Sequence, residues 1–92
     1  MRFPMLSGNV TISREGDAVV ISGDPDGLRT FGRLLTWLAD ADQNEWPYLP
    51  EGGRAHVHLY PKTDLSPSSE PVELTRLDAK GTGAFPPDFT PK

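Results

Sequence analysis

The 92-residue sequence contains no cysteine, which excludes disulfide bonds, thiol catalysis and any zinc or iron–sulfur site built on cysteine. It also lacks a long apolar run, because the longest, at residues 18–21, is far shorter than the roughly 20 residues of a transmembrane helix. Residues 1–6 lack the apolar segment of a signal peptide. We therefore expect a cytoplasmic protein that does not associate with a membrane.

Positive charge is also scarce, since nine basic residues stand against thirteen acidic ones and the formal net charge is −4. The arginines are dispersed, whereas nucleic-acid binding requires a basic patch. Neither a phosphate-binding glycine loop nor the nucleophile elbow of serine hydrolases occurs in the sequence. Composition and motifs therefore predict no nucleic-acid partner, no enzymatic activity and no cofactor.

Glycine and proline are plentiful by contrast, with nine and ten residues respectively, and they predict many turns in a chain of single-domain length. The proline- and glycine-rich end of the sequence predicts a disordered tail over residues 79–92. We expect a flexible amino terminus over residues 1–8 and a single α+β domain over residues 9–78.

The strongest local signal is an amphipathic helix that begins beside Asp24 and Pro25. Aspartate is a good helix N-cap, and proline suits the first helical position. The apolar residues that follow at three- and four-residue spacing are Leu28, Phe31, Leu35 and Leu38, and Leu34 and Ala41 widen the apolar stripe. This spacing predicts a helix that ends near residue 41 or 42 and buries one stripe. Gly32 lies at the edge of the stripe, where we expect it to bring the helix close to a sheet.

Four short segments around this helix have strand-like patterns. Residues 10–13 and 18–22 are rich in β-branched side chains and are joined by a short polar link, which predicts a β-hairpin. Residues 55–60 and 72–77 alternate apolar and polar side chains. The order predicts a two-layer β-β-α-β-β fold, in which one helix covers one face of a four-stranded antiparallel sheet.

The uncovered face of this predicted sheet carries His56, His58 and Tyr60, which alternate with apolar residues. Two histidines separated by one residue on a strand are a spacing that zinc sites use. Acidic residues that could add ligands are Asp64, Glu73 and Asp78. The alternative is a pair of imidazoles on an ordinary polar strand face. We predict no bound metal and keep the two histidines as metal-ligand candidates.

The loop after the helix combines aromatic side chains with unbalanced acidic charge. Four acidic residues and no basic residue lie between Asp40 and Glu51. Aromatic residues are enriched at protein interfaces, and acidic surroundings steer a basic partner. The partner-binding candidates are Asp42, Glu45, Trp46, Tyr48, His56, His58 and Tyr60. The alternative is that Trp46 folds back over the small core and that the acids are ordinary surface.

Several segments taken together resemble a family of small bacterial proteins. These segments are ISGDPDGLR at residues 21–29, HVHL at residues 56–59, LSPSSE at residues 65–70 and the closing strand VEL at residues 72–74. Over residues 10–78 they resemble the immunity protein 32 family, whose members are predicted antidotes encoded beside polymorphic toxins.

The resemblance implies a stoichiometric binder that occludes the active site of a toxin or fixes its conformation. Many toxin domains that attack nucleic acid are basic, so an acidic antidote would associate with one rapidly. Two other classes remain open from the residues alone. One is a small metal-binding protein that uses His56 and His58 with a nearby carboxylate, and the other is a homodimeric domain whose exposed sheet face pairs with its own copy. The expected oligomeric state is a monomer or a weak homodimer.

Overall fold

A computed structural model describes residues 3–92 of the chain. In chain order its elements are β1 (Val10–Glu15), β2 (Ala18–Gly23), α1 (Pro25–Asp40), a 3₁₀ turn (Gln43–Glu45), β3 (His56–Leu59) and β4 (Val72–Thr75). This order confirms the α+β class and the succession β-β-α-β-β. Within residues 3–92, no helix combines the length and the apolar character that crossing a membrane requires.

Strands β1 and β2 form an antiparallel hairpin whose two-residue turn is Gly16-Asp17. Gly16 has a φ of 60°, which glycine adopts without steric cost. Residues directly opposite each other in such a pair share a face, as Ile12 and Ile21 do. Ile12 is buried, whereas Ile21 is 50% exposed. The core therefore lies over β1 and leaves part of β2 uncovered.

The four strands do not join into one sheet, so the predicted four-stranded sheet is wrong. Strand β3 pairs with β4, and the two hairpins form separate two-stranded sheets. The free edge of β1 is occupied by the turn that precedes β4. The amide of Ser66 donates to the carbonyl of Val10 at 2.9 Å, and Glu70 donates to Ile12 at 2.8 Å. Because these bonds use the edge of β1, neither β3 nor β4 pairs with it.

Helix α1 begins behind Asp24, whose Oδ1 accepts a hydrogen bond from the amide of Gly27 at 2.7 Å. Its buried residues are Gly27, Thr30, Phe31, Leu34 and Leu38. The predicted stripe is wrong at Leu28 and Leu35, which are 48% and 43% exposed. The buried side includes a glycine and a threonine, and the Thr30 hydroxyl donates to the carbonyl of Ser7 at 2.9 Å. A pattern of apolar residues alone therefore misplaces the buried stripe.

Both sheets and the helix contribute to one hydrophobic core. Its buried members are Val10, Ile12, Phe31, Leu34, Val57, Leu59 and Leu65. Partly buried side chains that pack against it are Phe3, Leu6, Trp37, Val72 and Leu74. Val57 and Leu59 alternate with His56 and His58 along β3. The core contacts of this strand thus fix the two histidines on its opposite, outer face.

The carboxyl end of α1 is capped by Arg76, which follows β4. Its Nη1 donates to the carbonyls of Leu38 and Ala41, each at 2.9 Å. Its Nε and Nη2 donate to the carboxylate of Asp78 at 2.8 and 2.7 Å. These hydrogen bonds raise the pKa of Arg76 and lower the pKa of Asp78. The last turn of α1 has no basic residue, so a cation from the distant β4 end satisfies its carbonyls.

The chain after β4 continues to contact the domain. Ala79 is buried, and the amide of Lys80 donates to the carbonyl of Gly53 at 2.7 Å. The expected disorder of residues 79–92 concerns motion and stays a prediction, as does the domain boundary at Asp78. The expected flexibility of residues 1–8 also stays a prediction, and the first two of these residues lie outside the described part.

We expect Asp24→Asn to reduce the acid sensitivity of folding. The side-chain amide and backbone amide of Asn9 and the amide of Gly27 donate to the Asp24 carboxylate. These hydrogen bonds, those from Asn9 foremost, hold its pKa below the ordinary value of 3.8, and Arg29 acts in the same direction. A lowered pKa contributes stability that is complete above the ordinary value and is lost as the pH falls through the native value.

Urea unfolding at a series of pH values from about 2 to about 7 measures this effect. The free energy of unfolding should fall more steeply below about pH 4 for the wild type than for Asp24→Asn. Asparagine is also a good N-cap, so the helix keeps its start in the variant. Asp17→Asn removes a carboxylate from the hairpin turn and is the control. Parallel curves for the wild type and Asp24→Asn would contradict the prediction.

Candidate functional site

The outer face of β3 and the residue that follows it carry three aromatic side chains, here called the histidine row (His56, His58 and Tyr60). All three are exposed. The rings of His56 and His58 meet edge to face with their centroids 5.1 Å apart. The His58 ring stacks on Tyr60 at 6.1 Å with an interplanar angle of 16°. The structure thus brings three of the seven predicted partner-binding residues into one surface.

Glu73 on strand β4 lies directly opposite His58 in the hairpin. Its Oε1 is 3.9 Å from Nδ1 of His58, and its Oε2 accepts a hydrogen bond from the Thr75 hydroxyl at 2.7 Å. That hydrogen bond lowers the pKa of Glu73, and His58 and His56 add to the effect. One ligand atom each from His56, His58 and Glu73 lie within 4.8 Å of one another. The three side chains could therefore hold a metal ion.

The other two acids considered as metal ligands have different partners. Oδ2 of Asp64 accepts a hydrogen bond from the amide of Tyr60 at 2.9 Å. Oδ2 of Asp78 lies 2.7 Å from the guanidinium of Arg76. The geometry therefore places Glu73, and neither of these two acids, in a cluster with the histidines.

The acidic loop (residues 42–51) presents its charges and one aromatic ring to solvent. Asp42 caps the 3₁₀ turn, because its Oδ1 accepts a hydrogen bond from the amide of Asn44 at 3.0 Å. Asp42 and Glu45 are both exposed. Tyr48 is 98% exposed, so nearly its whole side chain is available to a partner.

Trp46 turns inward from the same loop. Its ring lies 5.7 Å from that of Trp37, which in turn lies 6.1 Å from the ring of Phe3. Its Nε1 is buried and has no hydrogen-bond partner among residues 3–92. Lys80 fixes the acidic loop, because its Nζ donates a hydrogen bond to the Trp46 carbonyl at 2.7 Å. Trp46 thus covers an edge of the core, and its part in partner binding stays a prediction.

Four exposed apolar side chains of β2 and α1 were not predicted from the sequence. Val19, Ile21, Leu28 and Leu35 are 57%, 50%, 48% and 43% exposed, respectively. The available signal was the run of apolar residues at positions 18–21. Ile21 shares the face of the hairpin that carries Ile12, and Val19 lies on the same face beyond the part that the core covers. No hydrogen bond or ring contact among residues 3–92 joins the histidine row to the acidic loop.

Comparison with known proteins identifies a family for this chain. The sequence model of the family described as immunity protein 32 matches residues 18–77, which is about two thirds of the chain. The match runs from the first residue of β2 through α1 and β3 to the residues just after β4. Neither the curated proteins nor the solved structures give a match.

Proposed function

The chain belongs to the immunity protein 32 family, and from this premise we propose that it binds a toxin protein and neutralises it without catalysis. The family match over residues 18–77 is the observation that carries the proposal. The matched residues include the whole histidine row and the whole acidic loop. Binding a protein requires exposed, well-positioned side chains, and these two surfaces provide them. It does not require a catalytic centre.

The histidine row supplies the first proposed contact. Aromatic side chains that are already ordered lose little conformational entropy on binding. The stacking of His58 on Tyr60 and the edge-to-face contact of His56 with His58 provide such order. Because Val57 and Leu59 of the same strand pack in the core, the histidine row forms a rigid surface for a partner.

The acidic loop supplies the second proposed contact. Tyr48 projects from it almost fully exposed, and tyrosine is one of the residue types that dominate binding energy at interfaces. Asp42 and Glu45 precede it with exposed carboxylates. Exposed charge of one sign accelerates association with a partner of the opposite sign. The loop is therefore suited to a basic toxin domain.

Capture of partners by the tagged full chain from its native host, followed by mass spectrometry and an activity assay, tests the proposal. We expect one toxin-like polypeptide in a one-to-one complex, and we expect its toxic activity to stop at equimolar addition of the purified chain. A captured polypeptide whose activity is unaffected by an excess of the chain would contradict the proposed neutralisation.

With the purified toxin, we expect the double variant Asp42→Asn/Glu45→Lys to associate about tenfold more slowly at low ionic strength. Asparagine keeps the cap on the 3₁₀ turn, so the change acts through charge and not through loop structure. The difference should shrink at high salt, because exposed charges are screened. Surface plasmon resonance at several salt concentrations measures the rate.

The matched control is Glu15→Lys/Asp17→Asn at the hairpin turn, which changes the net charge of the chain by the same amount. It should associate at nearly the wild-type rate. Equal slowing by both double variants would assign the effect to overall charge. That result would remove the acidic loop from the proposed interface.

A further inference from the structure

We propose that His56, His58 and Glu73 form a binding site for a zinc ion on the outer face of the β3–β4 hairpin. The proposal depends on these side chains and not on toxin neutralisation. Two imidazoles and one carboxylate form a ligand set that zinc accepts, and a water molecule completes the tetrahedron. The site therefore needs no second chain to reach four ligands.

The strand geometry brings the three ligands together. His56 and His58 are two positions apart on β3 and project from the same face. Glu73 is directly opposite His58 in the antiparallel pair, so its side chain shares that face. The register of the hairpin thus sets the cluster, and a shift of one residue would turn Glu73 to the opposite face.

The distances require only a small adjustment on metal binding. The chosen ligand atoms lie within 4.8 Å of one another. Ligands about 2.1 Å from a tetrahedral zinc ion are about 3.4 Å apart, so each pair of ligand atoms must approach by at most about 1.4 Å. The side chains of His58 and Glu73 are 47% and 50% exposed, which leaves them free to rotate without disturbing the core.

Neighbouring groups orient two of the three ligands. Nδ1 of His56 lies 2.9 Å from the carbonyl oxygen of Arg54, to which it donates when that nitrogen carries the proton. This hydrogen bond leaves Nε2 of His56 as the metal-binding nitrogen. The Thr75 hydroxyl orients Glu73 by donating a hydrogen bond to its Oε2. Metal-binding histidines and carboxylates generally have such partners, which fix the ring tautomer and the side-chain direction.

The ligand types favour zinc over the abundant hard cations. Imidazole nitrogen suits zinc, copper and nickel, whereas magnesium and calcium take oxygen ligands. The cluster offers one carboxylate and two imidazoles, whereas calcium takes about six to eight oxygen ligands and magnesium takes oxygen ligands in an octahedron. We therefore expect zinc to bind and magnesium not to bind.

Calorimetric titration of the full chain, without an added histidine tag, with zinc chloride tests the proposal. We expect one zinc ion per chain with a Kd in the micromolar range, and no heat of binding from magnesium at millimolar concentration. The variants His56→Gln, His58→Gln and Glu73→Gln should each weaken zinc binding at least about tenfold, since each removes one of three ligands. All three positions are exposed, so circular dichroism should show an unchanged fold.

Glu15→Gln, on the other hairpin, is the control for Glu73→Gln and should bind zinc as the wild type does. The chain has two histidines, so a nitrogen-15 spectrum of the imidazoles resolves both directly. Zinc should shift the Nε2 resonance of His56 and leave its Nδ1 protonated. A Kd in the millimolar range, or unchanged zinc affinity in Glu73→Gln, would overturn the proposed site.

Discussion

Leu34→Ala is expected to lower the free energy of unfolding by about 3 kcal/mol, since truncating a fully buried leucine removes apolar contacts and leaves a cavity. Leu34 has no exposed surface, and it lies in the core between the helix and both sheets. A core of this size supplies only about 3–5 kcal/mol in total, so we expect the variant to retain at most about 2 kcal/mol and to unfold at a much lower urea concentration than the wild type. Circular dichroism during urea titration measures the loss.

The adjacent residue provides the control for this change. Leu35 is 43% exposed on the same helix, so Leu35→Ala should cost less than about 1 kcal/mol. Because Leu34→Ala leaves little free energy of unfolding to measure, Leu34→Val provides a second measurement with an expected loss of about 1 kcal/mol. Similar losses at positions 34 and 35 would contradict the observed orientation of the helix.

The same pair of leucines shows how far the sequence determines the fold. The start of α1 was predictable because Asp24 and Pro25 act locally on the first turn. The buried stripe was predictable from hydrophobicity at Phe31, Leu34 and Leu38. It was not predictable at Gly27 and Thr30, which occupy buried positions through close approach and hydrogen bonding. Contacts between residues distant in sequence decided which leucines were covered.

The arrangement of the strands shows a similar division. The β1–β2 hairpin was predictable from alternation and from the short polar link at Gly16, whereas the pairing of β3 with β4 has no such local signal, because residues 60–71 separate the two strands. The relation between the two hairpins was not predictable, because it depends on the turn at residues 65–70, which forms hydrogen bonds along the free edge of β1. The side-chain hydroxyl of Ser69 accepts a hydrogen bond from the amide of Ile12 at 2.8 Å, so a side chain takes the place of a strand partner.

The candidate site follows the same rule. The common face of His56, His58 and Tyr60 was predictable, since it follows from the two-residue period of a strand. Glu73 was one of three possible acids until the register of β3 with β4 placed it opposite His58. The inward position of Trp46 was one of two alternatives, and the contact of its ring with Trp37, which in turn contacts Phe3, decides between them.

The glycines of α1 provide the second large expected effect, with opposite signs at two positions. Gly27→Ala should lower the free energy of unfolding by about 3 kcal/mol, the scale of severe overpacking. A Cβ atom at Gly27 would overlap the carbonyl oxygen of Asn9 and lie 2.9 Å from its backbone nitrogen. Asn9 cannot withdraw easily, because its carbonyl accepts from the amide of Asp24 and its own amide donates to the Asp24 carboxylate.

Gly32→Ala should instead raise the free energy of unfolding by about 1 kcal/mol, because alanine has the higher helix propensity. A Cβ atom at Gly32 meets no atom within 4 Å, so the expectation that this residue brings the helix close to a sheet is wrong. Gly27, near the start of α1, makes the close approach, against the chain segment that leads into β1. Urea midpoints should therefore move in opposite directions for the two variants. A loss of stability in Gly32→Ala, or wild-type stability in Gly27→Ala, would contradict this account of how the helix is seated.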